Sequence, residues 1–182
     1  MRIARAISLA LVVAGFLTLA WDPVDAVPAE AAGTTTAEGS LASRVVGAAV
    51  SPTERAFFDA INKTRAAHGL GSVALDARLV ESARLHSRDM VQGGYFQHGA
   101  SWWRRLEAVG VTRGTVGEIL GWYGHPAVAV AVPVLVKMWL QSPEHRRILL
   151  NPIYRNVGVG VAVGRFEGYS TAVVVTADFW SS

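Results

Sequence analysis

Two runs near the carboxyl end of the chain alternate and give the clearest strand signal in the sequence. Val157, Val159, Val161 and Val163 are interleaved with Gly158, Gly160 and Ala162. After the turn signal Gly164 to Gly168, residues Tyr169 to Phe179 alternate again. A period of two belongs to extended chain, so the pair reads as a β-hairpin. Whatever precedes the hairpin has to cover its apolar faces.

The preceding sequence supplies helices. Ser51-Pro52-Thr53-Glu54 combines an N-cap serine, a proline at the first helical position and a glutamate three residues after the cap. Phe57, Ala60, Ile61, Thr64 and Ala67 then form a buried stripe that stops at Gly69. Asp76 caps a second helix with Leu79, Ala83, His86 or Ser87, and Met90 on one face, ended by Gly93-Gly94. A third is expected from Ser101, with Trp102, Leu106 and Val109 inward, to Gly110. Val116 to Tyr123, short and bounded by glycines, reads as a strand bearing Glu118. Ala127 to Gln141 is long and apolar enough for a buried helix, but Pro133 would cost ~3 kcal/mol in its interior. That helix is therefore expected to begin near 133 or to kink there. Ser142-Pro143 restarts the chain as a short helical turn carrying Glu144 and His145. Helices first and antiparallel strands later define an α+β domain.

At 182 residues, 51% hydrophobic and 17% charged, the chain has room for one core. Arg2 and Arg5 precede the uncharged run Ala6 to Ala20, which suits a signal-peptide core and falls short of the ~20 residues that cross a bilayer. Small residues place cleavage after Ala26 or Ala31, so residues 1–26 are assigned to a signal peptide. An uncleaved anchor is the alternative, because Trp21 lengthens the apolar segment. Residues 27–51, rich in Ala, Gly, Thr and Ser, read as a flexible tether, and 52–182 as the folded domain. The chain has no cysteine, so neither a disulfide nor a thiol-linked lipid is available and stability must come from packing.

Three short motifs carry the chemistry: Gly94-Tyr95-Phe96-Gln97-His98, Gly117-Glu118-Ile119 and Ser142-Pro143-Glu144-His145-Arg146. Two imidazoles and a carboxylate are the ingredients of a metal site or of an acid/base pair. Their separations fit no local ligand spacing, so only the fold can bring them together.

The ordered set Ile61-Asn62-Lys63-Thr64-Arg65 with His68-Gly69-Leu70, Leu79 with Ala83 and Asp89-Met90, the three motifs above, Met138-Trp139-Leu140 and Val157-Gly158-Val159-Gly160 resembles the bacterial, SCP-like branch of the CAP superfamily. That superfamily takes in the cysteine-rich secretory, antigen 5 and pathogenesis-related proteins. The resemblance covers about 55–180. It implies an α-β-α sandwich with an antiparallel-rich sheet between helices, an extracellular location, and a cleft of His98, Glu118 and His145. It also implies that these three side chains could hold zinc or another divalent cation. Three departures stand out. Ile119 replaces the asparagine that usually follows the glutamate, removing a polar side chain from beside the site. Ser142 occupies the place of a second acid, reducing a tetrad to a triad. The segment between His98 and Trp102 is also short.

Glu144, His125 and Trp122 are additional cleft candidates. His86, on an apolar helical stripe, reads as a core imidazole, and His68 as a complement to a helix C-terminus. Trp102, Trp103, Trp122 and Tyr123 flank the segments bearing His98 and Glu118 and could stack on a ligand, whereas Trp139 and Trp180 read as structural. No His-Glu-x-x-His helix, Gly-x-Ser-x-Gly elbow, phosphate loop or cysteine nucleophile is present. Residues 52–182 hold 14 basic against 10 acidic side chains, densest at Arg104-Arg105 and Arg146-Arg147. Such pairs suit anionic wall polymer or lipid headgroups, and no nucleic-acid motif accompanies them. The expectation is a secreted, monomeric, non-catalytic domain, without a membrane span after cleavage, whose cleft binds a lipid, a cell-wall component or a protein. A zinc-dependent hydrolase using the same cleft is the rival.

Overall fold

The protein is described from a computed structural model over residues 50–125 and 127–182. The signal peptide expected at 1–26, and the tether up to residue 49, lie outside the described residues. Helix α1 spans Pro52–Ala67 and opens on the expected capping box: Glu54 N–H donates to Ser51 Oγ at 3.2 Å, and Ser51 N–H to Glu54 Oε2 at 2.8 Å. Strand β1 (Ala74–Leu75) and helix α2 (Ala77–Gly93) follow, with Asp76 capping α2 and Gly94 ending it at φ 62°. Next come α3 (Trp103–Ala108), β2 (Thr115–Tyr123), α4 (Val128–Gln141), α5 (Pro143–Leu149), β3 (Asn156–Phe166) and β4 (Tyr169–Ser181).

The sheet has the order β1-β3-β4-β2. Strands β3/β4 and β2/β4 run antiparallel, and β1 pairs β3 in parallel. Because side chains alternate across a strand, the sheet presents two faces. One buries Ile119, Val157, Val159, Val175, Ala177 and Phe179 in a cluster with Phe57 and Ile61 of α1, Leu135 and Trp139 of α4, and Leu149 of α5. The other carries Glu118, Leu120, Val174, Thr176 and Asp178 and meets α2, whose Met90 joins Leu120 and Val174 in a second cluster. Helix-sheet-helix layering, with antiparallel pairings predominating, is the α-β-α sandwich that the resemblance implied.

Four expectations change in detail. Helix α4 begins at Val128 rather than near 133 and continues past Pro133. The proline and Ala129, whose carbonyl loses its partner, are both exposed, so water replaces the missing bond. Helix α3 starts at Trp103 rather than Ser101, because Ser101 makes no side-chain cap and its carbonyl accepts from Arg104 N–H at 2.9 Å in a preceding turn. The hairpin turn narrows to Glu167 and Gly168, at φ 47° and 83°, and β3 reaches it through an irregularity between Gly164 and Phe166. Strand β1 is new, since two residues carry no alternation to read.

Layers are joined by charge as well as by apolar packing. Arg84 of α2 donates from Nε and Nη2 to the two oxygens of buried Glu54 at 2.7 and 2.6 Å. The capping glutamate of α1 thus also anchors α2. Arg65, 1% exposed, donates to the carbonyls of Gly71, Leu149 and Asn151 and fixes the end of α5 against α1.

Helix α2 lies unusually close to the sheet. A Cβ on Gly158 would overlap the backbone of Leu79 and Val80, and one on Gly160 the backbone of Ala83 and Arg84. Ser87 completes the seat by donating to the Gly160 carbonyl at 2.9 Å, 3.0 Å from the Thr176 hydroxyl. Either Gly158→Ala or Gly160→Ala must lift α2 off the strand. Each is expected to cost about 3 kcal/mol or more, the upper range for overpacking, in urea unfolding followed by circular dichroism.

Candidate functional site

Glu118 is the centre of the site. It sits on β2, an edge strand, on the face covered by α2 and α3, and its side chain is 1% exposed. A carboxylate excluded from water needs compensating charge or hydrogen bonds. His98 Nδ1–H donates to Oε1 at 2.7 Å, and Arg105 of α3 forms an ion pair with Oε2 through Nη2. Arg105 also donates from Nη1 to the His98 carbonyl at 3.2 Å, closing a ring of three residues. Burial alone would raise the Glu118 pKa, but His98, Arg105 and His86 together hold it below the ordinary carboxylate value.

His98 reaches this position because Gly94 ends α2 in the left-handed region and releases the chain toward β2. Its side chain keeps about a third of its surface exposed. With Nδ1–H given to Glu118, Nε2 is the ring nitrogen of His98 left for a further partner. His145 comes from α5, on the other side of β2, where Gly117 lies against Ile148 and Tyr154. Burial lowers the His145 pKa, and the charge on His98 lowers it further, against an opposing effect from Glu144. The two imidazoles therefore share an electrostatic neighbourhood, while the direct hydrogen bond runs only between His98 and Glu118.

The additional candidates lie apart from Glu118. Glu144 is exposed. His125 stacks on Tyr123 at 14° between ring planes and accepts from Ala127 N–H at 3.0 Å, in the loop after β2. Trp122 shares a strand face with Glu118, but two positions beyond Leu120, where it packs edge-on against Phe166 with ring centroids 5.7 Å apart. Trp139 is buried with its Nε1–H on the Leu120 carbonyl, and exposed His68 bonds the Thr64 carbonyl at the end of α1. Among the flanking aromatic residues, Trp103 is the exposed one, at 43%.

Three further residues complete the site, none of them assigned to it by the sequence pattern. Arg105 belongs to a pair that reads as a solvated surface. His86, expected as a core imidazole, is buried accordingly, but its Nε2 lies 4.0 Å from Glu118 Oε1. Its pKa is lowered, chiefly by burial. Asp178 faces Glu118 directly across the β2/β4 ladder and is fully buried. Burial, with the neighbouring Glu118 charge, pushes its pKa well above the carboxylate range, so it is held protonated. A second carboxyl is thus present, from the last strand rather than from position 142. An acid among the alternating apolar residues of β4 was the available signal. Ile119 also corrects an expectation: it points to the opposite face, into the core with Phe57 and Leu135, so its side chain is not beside Glu118.

Glu118 does not fit the role of metal ligand implied with His98 and His145. Both oxygens are engaged, and a guanidinium on one of them opposes a second cation. Among the described residues, no three His, Asp or Glu side chains are placed to hold one ion.

The chain matches the sequence profile of the cysteine-rich secretory protein family, CAP, over residues 58–179. It belongs to this family. The Bacillus subtilis protein YkwD is 31% identical to this CAP chain over 130 residues, 69% of the chain and 48% of YkwD. The membrane protein YlbC of the same organism is 36% identical over 112 residues, 59% of the chain and 31% of YlbC. An extracellular SCP-domain protein from Bacillus anthracis superposes with a TM-score of 0.58 at 28% identity, over 71% of this chain and 40% of that one. The CAP chain thus spans about half or less of these relatives. An outer surface protein of Borrelia burgdorferi, 17% identical with a TM-score of 0.56, shares the fold over 71% of this chain and 93% of its own. The relation holds without the cysteines of the family's name.

Two outcomes follow for this CAP site. Glu118→Gln leaves Arg105 facing a neutral amide and is expected to cost about 3–5 kcal/mol at pH 7 in urea unfolding. A lowered native pKa stabilises above the unfolded value and is lost as pH falls through the native one, so this gap narrows below about pH 4.3. Asp178 has the opposite sign. Its raised native pKa withdraws stability as pH climbs above the unfolded value of about 3.9. Asp178→Asn, which keeps shape and neutrality, is expected to match wild type near pH 4 and to exceed it at pH 7 in urea unfolding.

Proposed function

We propose that the protein is a secreted CAP domain that binds an extracellular ligand through the His98/Glu118 cleft, with His145 at its rim, and that it does so without catalysis. The observation carrying this reading is the engagement of Glu118. Its carboxylate is committed on one oxygen to His98 and on the other to Arg105, and the guanidinium opposes its taking up a proton as a general base, whereas the His98 ring, about a third exposed and fixed through Nδ1, offers its remaining nitrogen to a hydrogen-bonding ligand. Secretion is supported by the basic and apolar amino terminus and by the extracellular description of the Bacillus anthracis relative. No described helix is long and apolar enough to cross a membrane.

The ligand classes favoured are lipids and cell-wall components. Pro143, Arg146, Arg147 and Leu150 share one face of α5 and, with Asn151 and Pro152, line a shallow surface groove. At about 100° per residue, His145 points away from that face, so the groove is separate from the cleft but adjoins it. Two exposed arginines there suit an anionic headgroup or wall polymer. The zinc-dependent hydrolase is the weaker reading, because it leaves only His98 and His145 as donors and requires Glu118 to be released from Arg105.

Purified protein is to be tested with phosphatidylglycerol vesicles, neutral vesicles and soluble wall fragments, alongside elemental analysis for zinc. Binding to at least one probe is expected, and His98→Ala should weaken it about tenfold or more, the equivalent of one hydrogen bond to a charged or strongly polar group. Stoichiometric zinc that disappears in both His98→Ala and His145→Ala would overturn the reading in favour of the hydrolase.

A further inference from the structure

Behind Glu118 the protein buries a group of polar atoms that it does not pair. Ser82 Oγ, His86 Nε2, Arg105 Nε, and Asp178 Oδ1 and Oδ2 have no hydrogen-bond partner, and they are the only such buried side-chain atoms among the described residues. They come from three separate elements, α2, α3 and β4, yet all gather about one carboxylate. His86 and Arg105 both approach Glu118, and Asp178 faces it across the ladder. Ser82 and Glu118 both lie close enough to Asp178 to perturb its carboxyl, although neither meets hydrogen-bond geometry with it. An isolated orphan can be an accident of side-chain placement. Five converging on one point are a site, because buried polar groups are paired almost without exception and a water in such a place makes about two to four bonds.

The chemistry of the walls defines the guest. Arg105 opposes a cation, and Glu118 opposes an anion. Asp178 and His86 are held neutral by burial. A neutral histidine that donates to the Gln97 carbonyl turns its other ring nitrogen outward as an acceptor. The walls therefore offer acceptors at His86 and one Asp178 oxygen, and donors at Ser82, Arg105 Nε and the Asp178 hydroxyl. Only a small neutral molecule that both donates and accepts can meet that set. The 4.0 Å between His86 Nε2 and Glu118 Oε1 is beyond a direct hydrogen bond, so a bridging donor is needed there.

We propose that Ser82, His86, Arg105 and Asp178 bound an internal hydration site behind Glu118, occupied by one or two water molecules that bridge His86 to the carboxyl pair. The water belongs to the folded protein as a structural component and extends the cleft inward. This inference is independent of what the outer face of His98 binds.

The test counts long-lived water in the full-length protein. Oxygen-17 magnetic relaxation dispersion on wild type is compared with Ser82→Ala and with the double variant Ser82→Ala/Asp178→Leu, which replaces polar wall by apolar wall. Wild type is expected to hold one or two more long-lived waters than the double variant. Nuclear Overhauser contacts from water to the His86 ring and to the Arg105 Nε proton are expected in wild type alone, which keeps the test decisive if the double variant does not fold. Equal water counts in the folded proteins, or no water contact at either group in wild type, would overturn the proposal and mean that the side chains close on one another directly.

Discussion

A single negative charge, buried on the edge strand at Glu118, organises the face of the sheet that meets α2 and α3. Removing a carboxylate from water costs several kcal/mol, and the fold offsets that cost by drawing in groups that are distant in sequence. Arg105 comes from α3, His98 from the loop after α2, and His86 from α2 itself. Apolar contact adds to this, since Leu106 of α3 packs with Leu79 of α2 and Val111. Helix α3 is only six residues long, and its hydrophobic contribution centres on Leu106. The ion pair therefore positions α3 as much as α3 positions the arginine, and the His98 loop is tied to both through its carbonyl and its ring.

The same face of the sheet is shaped by what is missing from it. Gly158 and Gly160 let α2 descend until its backbone touches β3, and that depth puts Ser82 over Asp178, Ser87 over Thr176 and His86 beside Glu118. A helix held further out by ordinary side chains would leave these polar residues in a wider, wetter space. Close approach and polar burial are thus one arrangement: the glycines create the contact, and the contact removes the polar groups from bulk solvent.

Much of this is legible in the sequence where the determining interactions are local. The Ser51/Glu54 box, the Asp76 cap, the terminal glycines of α2 and the alternation of β3 each lie within a few residues, and each appears where expected. Long-range features are less accessible. The pairing of Glu118 with Asp178 depends on the register of β2 against β4, which no single segment encodes. Arg105 looks like any surface arginine until α3 is docked. Ile119 neighbours Glu118 in sequence but not in space, because a pleated strand sends consecutive side chains to opposite faces. Pro133 illustrates the converse: its penalty depends on whether the orphaned carbonyl meets water, and exposure is a tertiary property.

Strand β2 has a ladder partner on one side only. The strand that carries the central carboxylate is nonetheless held from its other face, by Ile119 packed in the α1/α4 core and by the Trp139 Nε1–H bond to the Leu120 carbonyl, and buried core strands open only at a free energy near that of the whole domain. The cleft is thus bound to the core through the strand that carries its carboxylate. A ligand or partner that engages His98 therefore pulls on a side chain whose anchor, Glu118, sits on the same strand as the core residue Ile119.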